Sequence, residues 1–311
     1  MATRSQQRGF TLVELIMVIV IMGVIGGIVS IFMKSPINAY FASARRAALT
    51  DAADTVVRRM ARDVRKALPN TLRPLNASQC IEFIPTKTGG RYRESFGNSV
   101  AVVPPADTML DFSAVDKSFF MLGDSAILPT DQQIAADDLI AVYNLGITGS
   151  DAYALDNIDR VVSAPAVPAS GALGAETHIT TAGRPSESPY PLESGSKRFH
   201  VIPAGQQVVR LACVDVGSVA GEGTGGLYRY VSKVLISSSG VRTSYATSAA
   251  CPSVLSDLPT GAAMMANNVS ACSFNYDATI QRNAIVQMTL GLTRSNETVR
   301  LYHEVHVDNT P

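Results

Sequence analysis

The stretch RGFTLVELIMVIVIMGVIGG, residues 8–27, decides how this chain is organised. It contains most of an apolar run, residues 10–33, in which Glu14 is the only ionisable side chain. At about 1.5 Å per residue, a helix over this run reaches roughly 36 Å, enough to span a bilayer with some tilt. A secretory signal peptide has a shorter apolar region with a small-residue cleavage site after it, whereas here Gly9 precedes the run.

The charges beside and within the run indicate its orientation in the membrane and a role beyond anchoring. Arg4 and Arg8 precede it, so we expect a cytoplasmic N-terminus and an exported remainder. An isolated carboxylate in a spanning helix costs about 2.5–3.5 kcal/mol on insertion scales and usually has a partner and a function. A plain membrane anchor has no use for Glu14, so this carboxylate is expected to have a partner.

The order Gly9, Phe10 and then TLVEL at 11–15 resembles the signal of type IV prepilins and type II secretion pseudopilins. The resemblance implies a leader of residues 1–9, cleavage between Gly9 and Phe10 by a prepilin peptidase, and N-methylation of Phe10. It also implies that Glu14 pairs with the α-amino group of a neighbouring subunit's Phe10, away from water, where such an attraction is strong.

The helix is expected to have two halves, a membrane and filament-core half at 10–35 and an amphipathic half at 36–69. The second half places apolar residues at three- and four-residue steps, with most basic side chains on the other side. Its predicted end lies near Pro69 and Asn70. Two alternatives concern the weak helix formers of the first half. The helix bends or unwinds between 23 and 36, or its glycines pack closely against neighbouring membrane helices.

Residues 70–311 are predicted to form a β-rich periplasmic or extracellular head. Several short runs alternate apolar and polar residues, as half-buried antiparallel strands do. Candidate strands are Cys80–Pro85, Ser99–Val103, Leu139–Asn144, Arg198–Ile202, Gln207–Asp215, Gly226–Ser237, Ala271–Tyr276, Ala284–Thr293 and Val299–Val307. The stretches 104–137 and 146–197 read as long loop insertions. The expected fold class is therefore α+β and pilin-like, with a long N-terminal helix packed on one antiparallel β-sheet head.

The four cysteines predict two disulfides in a chain that leaves the cytoplasm. Three pairings exist, and we favour Cys251–Cys272, which closes a local loop, with Cys80–Cys213 by elimination. Buried reduced thiols are the alternative. The cysteines lack zinc-site spacing, so no metal is expected there.

The charge pattern argues against a nucleic-acid partner. Lys+Arg and Asp+Glu balance at 26 each, whereas nucleic-acid binding calls for a basic excess. The first 75 residues are basic and roughly 107–159 is acidic. The basic part lies on the predicted helix, so we interpret it as a solvated or partner-facing surface.

No catalytic constellation is found, so no enzyme is expected. His303 and His306 lie three apart on a predicted strand, which puts them on opposite faces. Gly221, Gly223 and Gly226 match a dinucleotide motif formally, but a strand follows instead of a helix. His178 and His200 are expected to be surface or packed residues. No cofactor is expected; calcium is a minority alternative because acidic side chains crowd the loops at Asp124, Asp131, Asp137, Asp138, Asp151, Asp156 and Asp159.

Three stretches of the head, residues 80–93, 137–157 and 198–230, are similar to J-type minor pseudopilins and, above all, to the MshO-type minor pilins of the MSHA pilus. The resemblance implies a minor pilin that takes part in pilus assembly or initiation. The alternatives are a J-type minor pseudopilin of a type II secretion system and a tip binding or adhesion module. The implied partners are prepilin peptidase, other major and minor pilins through the helix, and the inner-membrane assembly platform. The implied location is the inner membrane before assembly and the fibre afterwards.

Overall fold

The computed structural model describes residues 9–75, 78–94, 109–166, 176–184, 188–245, 250–277 and 283–311. One long N-terminal helix packs on antiparallel β-sheets, which confirms the predicted α+β, pilin-like fold. The head differs from the expectation in one respect, because it contains two large sheets rather than one.

Helix α1 spans Leu12–Arg65 without interruption. It passes through Pro36 without unwinding, so the structure does not show the unwinding that was one of the two alternatives for residues 23–36. The predicted end near Pro69 and Asn70 is also wrong, because the backbone turns at Lys66 to join the head. Ala67 forms a β-bridge with Pro85, and the N–H of Leu68 donates to the carbonyl of Ile84 at 2.7 Å.

The first sheet has seven strands in the order β1-β2-β9-β12-β13-β14-β15, with every neighbouring pair antiparallel. Its strands are β1 (Arg73–Leu75), β2 (Cys80–Phe83), β9 (Val208–Val214), β12 (Gly225–Lys233), β13 (Ala263–Asp277), β14 (Asn283–Arg294) and β15 (Glu297–Asp308). The second half of α1 buries a helical stripe against one face of this sheet. Ala53, Met60 and Val64 on the helix belong to the same hydrophobic cluster as Phe274 and Met288 on the sheet.

The second sheet is built entirely from the segment between β2 and β9. Its six strands follow the order β6-β5-β8-β3-β4-β7. They are β3 (Thr88–Tyr92), β4 (Ser118–Leu122), β5 (Leu139–Val142), β6 (Ile158–Arg160), β7 (Glu176–Thr180) and β8 (Arg198–Ile202). This sheet has a core of its own, in which the rings of Phe119 and Phe199 meet edge to face at 5.4 Å.

The stretches that we expected to be loops therefore contain strands. β4, β6 and β7 lie within them. Each has only three to five residues and lacks the polar and apolar alternation of a one-sided strand. Of the nine candidate strands, eight coincide with strands of the structure, and Ser99–Val103 lies outside the described residues.

A buried ionic network lies where the two sheets approach each other. Glu82 is fully buried and accepts from the Nε of Arg73 at 2.7 Å and from the Nε of Arg210 at 2.5 Å. The Arg73 guanidinium also stacks 3.6 Å from the ring centroid of Tyr153, which follows β5 of the second sheet. A buried carboxylate is stable only with such partners. The two ion pairs hold β1, β2 and β9 of the first sheet together, and the stacking of Arg73 on Tyr153 connects them to the segment that forms the second sheet.

All four cysteines form disulfides, as expected, but our preferred pairing is wrong. The bonds are Cys80–Cys251 and Cys213–Cys272. Cys213 lies on β9, next to β12, and Cys272 lies on β13, the strand beyond β12; both side chains belong to the core that α1 covers. Cys80 and Cys251 lie in a separate cluster with Ala212. Sheet order, rather than proximity in sequence, therefore sets the pairing.

Two short strands, β10 (Ser218–Val219) and β11 (Glu222–Gly223), form a hairpin before β12. Gly221 and Gly223 lie in this hairpin and Gly226 lies on β12, so no helix N-terminus follows the glycine motif to hold a phosphate. On β15 the His303 side chain is half-buried and that of His306 is exposed, which confirms that the two imidazoles lie on opposite faces.

Candidate functional site

The first half of α1 is an apolar surface that the head does not cover. Its large hydrophobic side chains between Phe10 and Phe41 are all exposed, and the first buried residue of the helix is Leu49. The helix is long and apolar enough to cross a membrane. An exposed apolar surface of this extent marks a site for a membrane or another protein.

A capping box forms the beginning of the helix. The N–H of Glu14 donates to the hydroxyl oxygen of Thr11 at 3.3 Å, and Glu14 Oε2 accepts from the N–H of Thr11 at 3.2 Å. The Thr11 hydroxyl also donates to the same Oε2 at 3.2 Å. These bonds satisfy backbone donors that have no partner at the start of a helix. Glu14 thus holds the helix terminus of its own chain.

The predicted cleavage site precedes this capping box. Gly9, Phe10 and Thr11 lie outside the helix, and Phe10 is 84% exposed. Arg4 and Arg8 lie outside the described residues. The peptide bond between Gly9 and Phe10 is therefore in non-helical, accessible backbone, which is the form that a peptidase needs.

Two ion pairs tie the second half of α1 to the first sheet. Arg46 Nη2 lies 2.8 Å from the Glu297 carboxylate at the beginning of β15. Nearer the end of the helix, Asp63 lies 2.9 Å from the Nε of Arg229 on β12. Together with the buried stripe, these contacts set the direction in which the apolar half leaves the head.

A comparison with family models gives one match in this region. The prokaryotic N-terminal methylation motif matches residues 4–30. The motif indicates a type IV pilin or pseudopilin that is a substrate of prepilin peptidase and assembles with other pilins. This family is structural rather than catalytic. With the apolar helix, the motif fits a single-pass, membrane-anchored pilin. No curated protein and no solved structure matches the chain significantly.

The two other histidines are packed among the strands of the second sheet. The ring of His178 on β7 lies 4.9 Å from that of Phe120. His200 lies on β8, between β3 and β5. Burial lowers the pKa of both imidazoles below the ordinary value of 6.5. These positions agree with the expectation of packed residues.

The acidic loop residues are used in structural contacts. Asp138 pairs with Lys87 at 2.6 Å, and Asp159 pairs with Arg242 at 3.1 Å. Asp124 and Asp151 cap short 3-10 helices. No three His, Cys, Asp or Glu side chains come together as metal ligands in the described part of the chain. Calcium binding stays a prediction that these contacts do not test.

Sequence reasoning missed two features of this region. The pairing of Thr11 with Glu14 has the Thr-x-x-Glu spacing of a capping box, and that spacing was the available signal. The buried network around Glu82 had no signal, because Arg210 is 128 positions from Glu82 and meets it only through the pairing of β2 with β9.

Proposed function

We propose that this chain is a minor pilin of the MSHA type that takes part in the assembly or initiation of a type IV pilus. The observation that carries the proposal is the coincidence of the methylation motif at 4–30 with a helix half that the head leaves uncovered. After processing, the same surface serves first as membrane anchor and then as filament core.

The architecture of the head favours the role of a specialised subunit over that of the repeating subunit of the fibre. A six-stranded sheet is inserted between two neighbouring strands of the first sheet, β2 and β9. This insertion adds bulk that every copy of a shaft subunit would have to accommodate. A subunit placed at the end of a fibre has no such constraint, so a priming or capping position fits the shape.

Processing is the first step to test. Intact-mass spectrometry of the protein purified from membranes is expected to give a chain that begins at Phe10 and carries one added methyl group. Gly9→Val is expected to leave the leader uncut, because the bulky side chain sits beside the scissile bond. Gly26→Ala in the apolar run is the matched control and is expected to be processed normally. A wild-type chain that keeps residues 1–9 would contradict the proposal.

A deletion strain shows whether the chain serves a pilus or a secretion system. If the chain is an MSHA-type minor pilin, we expect its deletion to abolish pili and to leave the secretion of type II substrates unchanged, and complementation should restore the pili. Normal piliation with impaired secretion would instead identify a J-type minor pseudopilin.

A tip binding module is a second candidate, favoured by one observation. A cleft of about 670 Å³ lies at the junction of the two sheets, and Tyr143, Leu145, Ile147 and Asn309 are among its lining residues. Tyr143→Ala with Ile147→Ser should abolish surface attachment, with normal pilus numbers, if this cleft binds a ligand. Unchanged attachment would remove this candidate.

A further inference from the structure

The end of α1 carries a group of cationic side chains that the head does not neutralise. Arg59, Arg62, Arg65 and Lys66 are exposed and have no ion-pair partner among the residues that the structure describes. Basic residues in the last turn of a helix interact favourably with the partial negative charge of its C-terminus. This interaction accounts for Arg62 and Arg65. Arg59 and Lys66 lie outside that last turn and enlarge the cationic surface at the end of α1.

Two adjoining clefts lie against these side chains. One is bounded by α1 alone, and the other lies between α1 and the head, where Pro85, Thr86, Pro203 and Gln206 form part of the wall. Each has a volume of about 480 Å³. They share Arg59, Asp63 and Lys66, so they form one continuous groove, which we call the basic groove.

The charge of the basic groove is strongly one-sided. Six cationic and two anionic side chains line it, a net charge of +4 in a chain whose net charge is zero. The cations are Arg59, Arg62, Arg65, Lys66, Lys87 and Arg229, and the anions are Asp63 and Asp131. Arg229 and Lys87 already hold Asp63 and Asp138. Arg59, Arg62, Arg65 and Lys66 are left for a ligand, against Asp131 as the one lining anion outside these pairs.

The position of the basic groove points to a polypeptide rather than a membrane. Arg59 follows the end of the apolar half, residue 35, by 24 residues. At about 1.5 Å per residue this is roughly 36 Å, well beyond the headgroups of the bilayer that the apolar half spans. The distance from Arg59 to Lys66 is roughly 10 Å, which matches about three residues of an extended chain.

We propose that the basic groove binds a short acidic segment of a neighbouring subunit, with Arg59 and Lys66 as its principal anchors. The identity of the partner as a subunit rests on the proposed function, whereas the recognition of an acidic chain rests on charge and shape alone. Exposed charge pairs are individually weak, so the contact orients a neighbour that the apolar helices hold.

Peptide binding tests the basic groove directly. The full chain, in detergent micelles with its disulfides intact, is titrated with a fluorescent hexaglutamate peptide, and hexaglutamine serves as the uncharged probe. We expect hexaglutamate to bind and to be released by salt, which screens exposed charges. Arg59→Glu with Lys66→Glu should weaken binding by about tenfold, since attraction becomes repulsion at two positions.

Arg58→Gln is the matched control. Arg58 is exposed on the same helix, pairs with Asp54 at 2.6 Å and does not line the basic groove, so hexaglutamate affinity should stay unchanged. Equal binding by the wild type and the double variant, each with a native melting curve, would overturn the proposal. A short DNA duplex or phosphatidylglycerol vesicles that bind more tightly than the peptide, and depend on Arg59 and Lys66, would overturn it as well.

A photocrosslinking residue at position 206 tests the partner in cells. The expected product joins the basic groove to an Asp- or Glu-rich peptide of another protein with a methylation motif. A crosslink to lipid or nucleic acid, or none in cells that assemble fibres, contradicts the inference. Cleavage after Gly9 is measured in the same samples, so a failure of the proposed function is seen separately from a failure of the groove.

Discussion

At the scale of the residue, Glu14 has one observed role and one predicted role, and the two are separable. In the isolated chain it closes a capping box with Thr11, and its carboxylate accepts from the N–H and the hydroxyl of Thr11 through Oε2. In an assembled fibre we predict that it also meets the α-amino group of a neighbouring Phe10. The first role needs a hydrogen-bond acceptor, whereas the second needs a negative charge.

Two substitutions distinguish these roles. Glu14→Gln keeps an acceptor for Thr11 but removes the charge, so we expect a normal helix and a large loss of the subunit from sheared fibres. Thr11→Val removes the cap and keeps the charge, at about 1 kcal/mol of helix stability, so incorporation should largely survive. Immunoblots of fibre fractions measure both. Equal incorporation of Glu14→Gln and wild type would contradict the charge role.

His200 makes the stability of the head depend on pH. Burial lowers its pKa from 6.5, Arg198 acts in the same direction, and Asp308 opposes both. The folded state thus binds its proton less readily than the unfolded state. The contribution of neutral His200 to the free energy of unfolding is therefore fully present above about pH 6.5. It is lost as the pH falls through the lowered pKa of the folded state.

Removal of this imidazole should reduce the dependence of the free energy of unfolding on pH below about pH 7. We expect His200→Gln to show a smaller loss in the free energy of urea unfolding between about pH 7 and pH 5 than the wild type. His306→Gln, exposed on β15, is the control and should follow the wild-type slope. The same slope in both variants would show that His200 does not couple folding to protons.

At the scale of the element, α1 joins two environments through one uninterrupted helix. Its first half is exposed and apolar, and its second half is held to the first sheet by a buried stripe and two ion pairs. Pro36 lies between them and lacks a backbone donor, so one helical hydrogen bond is missing there. The weakest turn of α1 is therefore expected at this boundary.

Pro36→Ala should strengthen that turn. Restoring the donor and removing the ring clash is worth about 3 kcal/mol, so the amides around residues 32–37 should exchange roughly 100-fold more slowly. Hydrogen exchange in micelles, read by mass spectrometry, measures this, and Ser35→Ala is the neighbouring control. Unchanged exchange after Pro36→Ala would place the weak point elsewhere.

At the scale of the whole molecule, contacts between segments far apart in sequence hold the head together. Glu82 joins Arg73 to Arg210, and its exposed fraction is 0%. The two disulfides connect residues that are 171 and 59 positions apart. The Glu82–Arg210 pair joins β2 to β9, the two strands between which the second sheet is inserted.

Loss of the charge on Glu82 should be strongly destabilising. Glu82→Gln leaves two arginines without their shared carboxylate, and we expect a loss of about 3–5 kcal/mol in the free energy of unfolding. Glu297→Gln breaks the pair with Arg46, whose guanidinium is exposed to solvent, and should cost less than about 1 kcal/mol. Urea titration with intact disulfides measures both. Similar losses for the two variants would contradict the importance of burial.

The disulfide pairing is directly testable. Peptide mapping without reductant should recover Cys80 linked to Cys251 and Cys213 linked to Cys272. Replacing the first pair by Ser should lower the free energy of unfolding by about 2–5 kcal/mol, because it releases a long loop in the unfolded chain. A recovered Cys251–Cys272 peptide would contradict this arrangement of strands β9, β12 and β13.

Much of the fold is readable from local patterns. The long, regular strands β13, β14 and β15 alternate visibly, and the buried stripe of α1 repeats at helical steps, so their existence and type were predicted. The strands β4, β6 and β7 were not predicted, because a short buried strand has no periodicity of its own. It becomes a strand only when neighbours complete its hydrogen bonds.

By itself, the sequence determined the features that depend on adjacent residues: the motif around Gly9 and Phe10, the apolar half of α1 and the placing of an acid at Glu14. Only the tertiary structure decided the disulfide pairing, the second sheet, the network around Glu82 and the basic groove. Each of these needs groups brought together from distant parts of the chain. Local sequence carries no record of which distant strand becomes a neighbour, since that depends on how the whole chain buries its apolar surface.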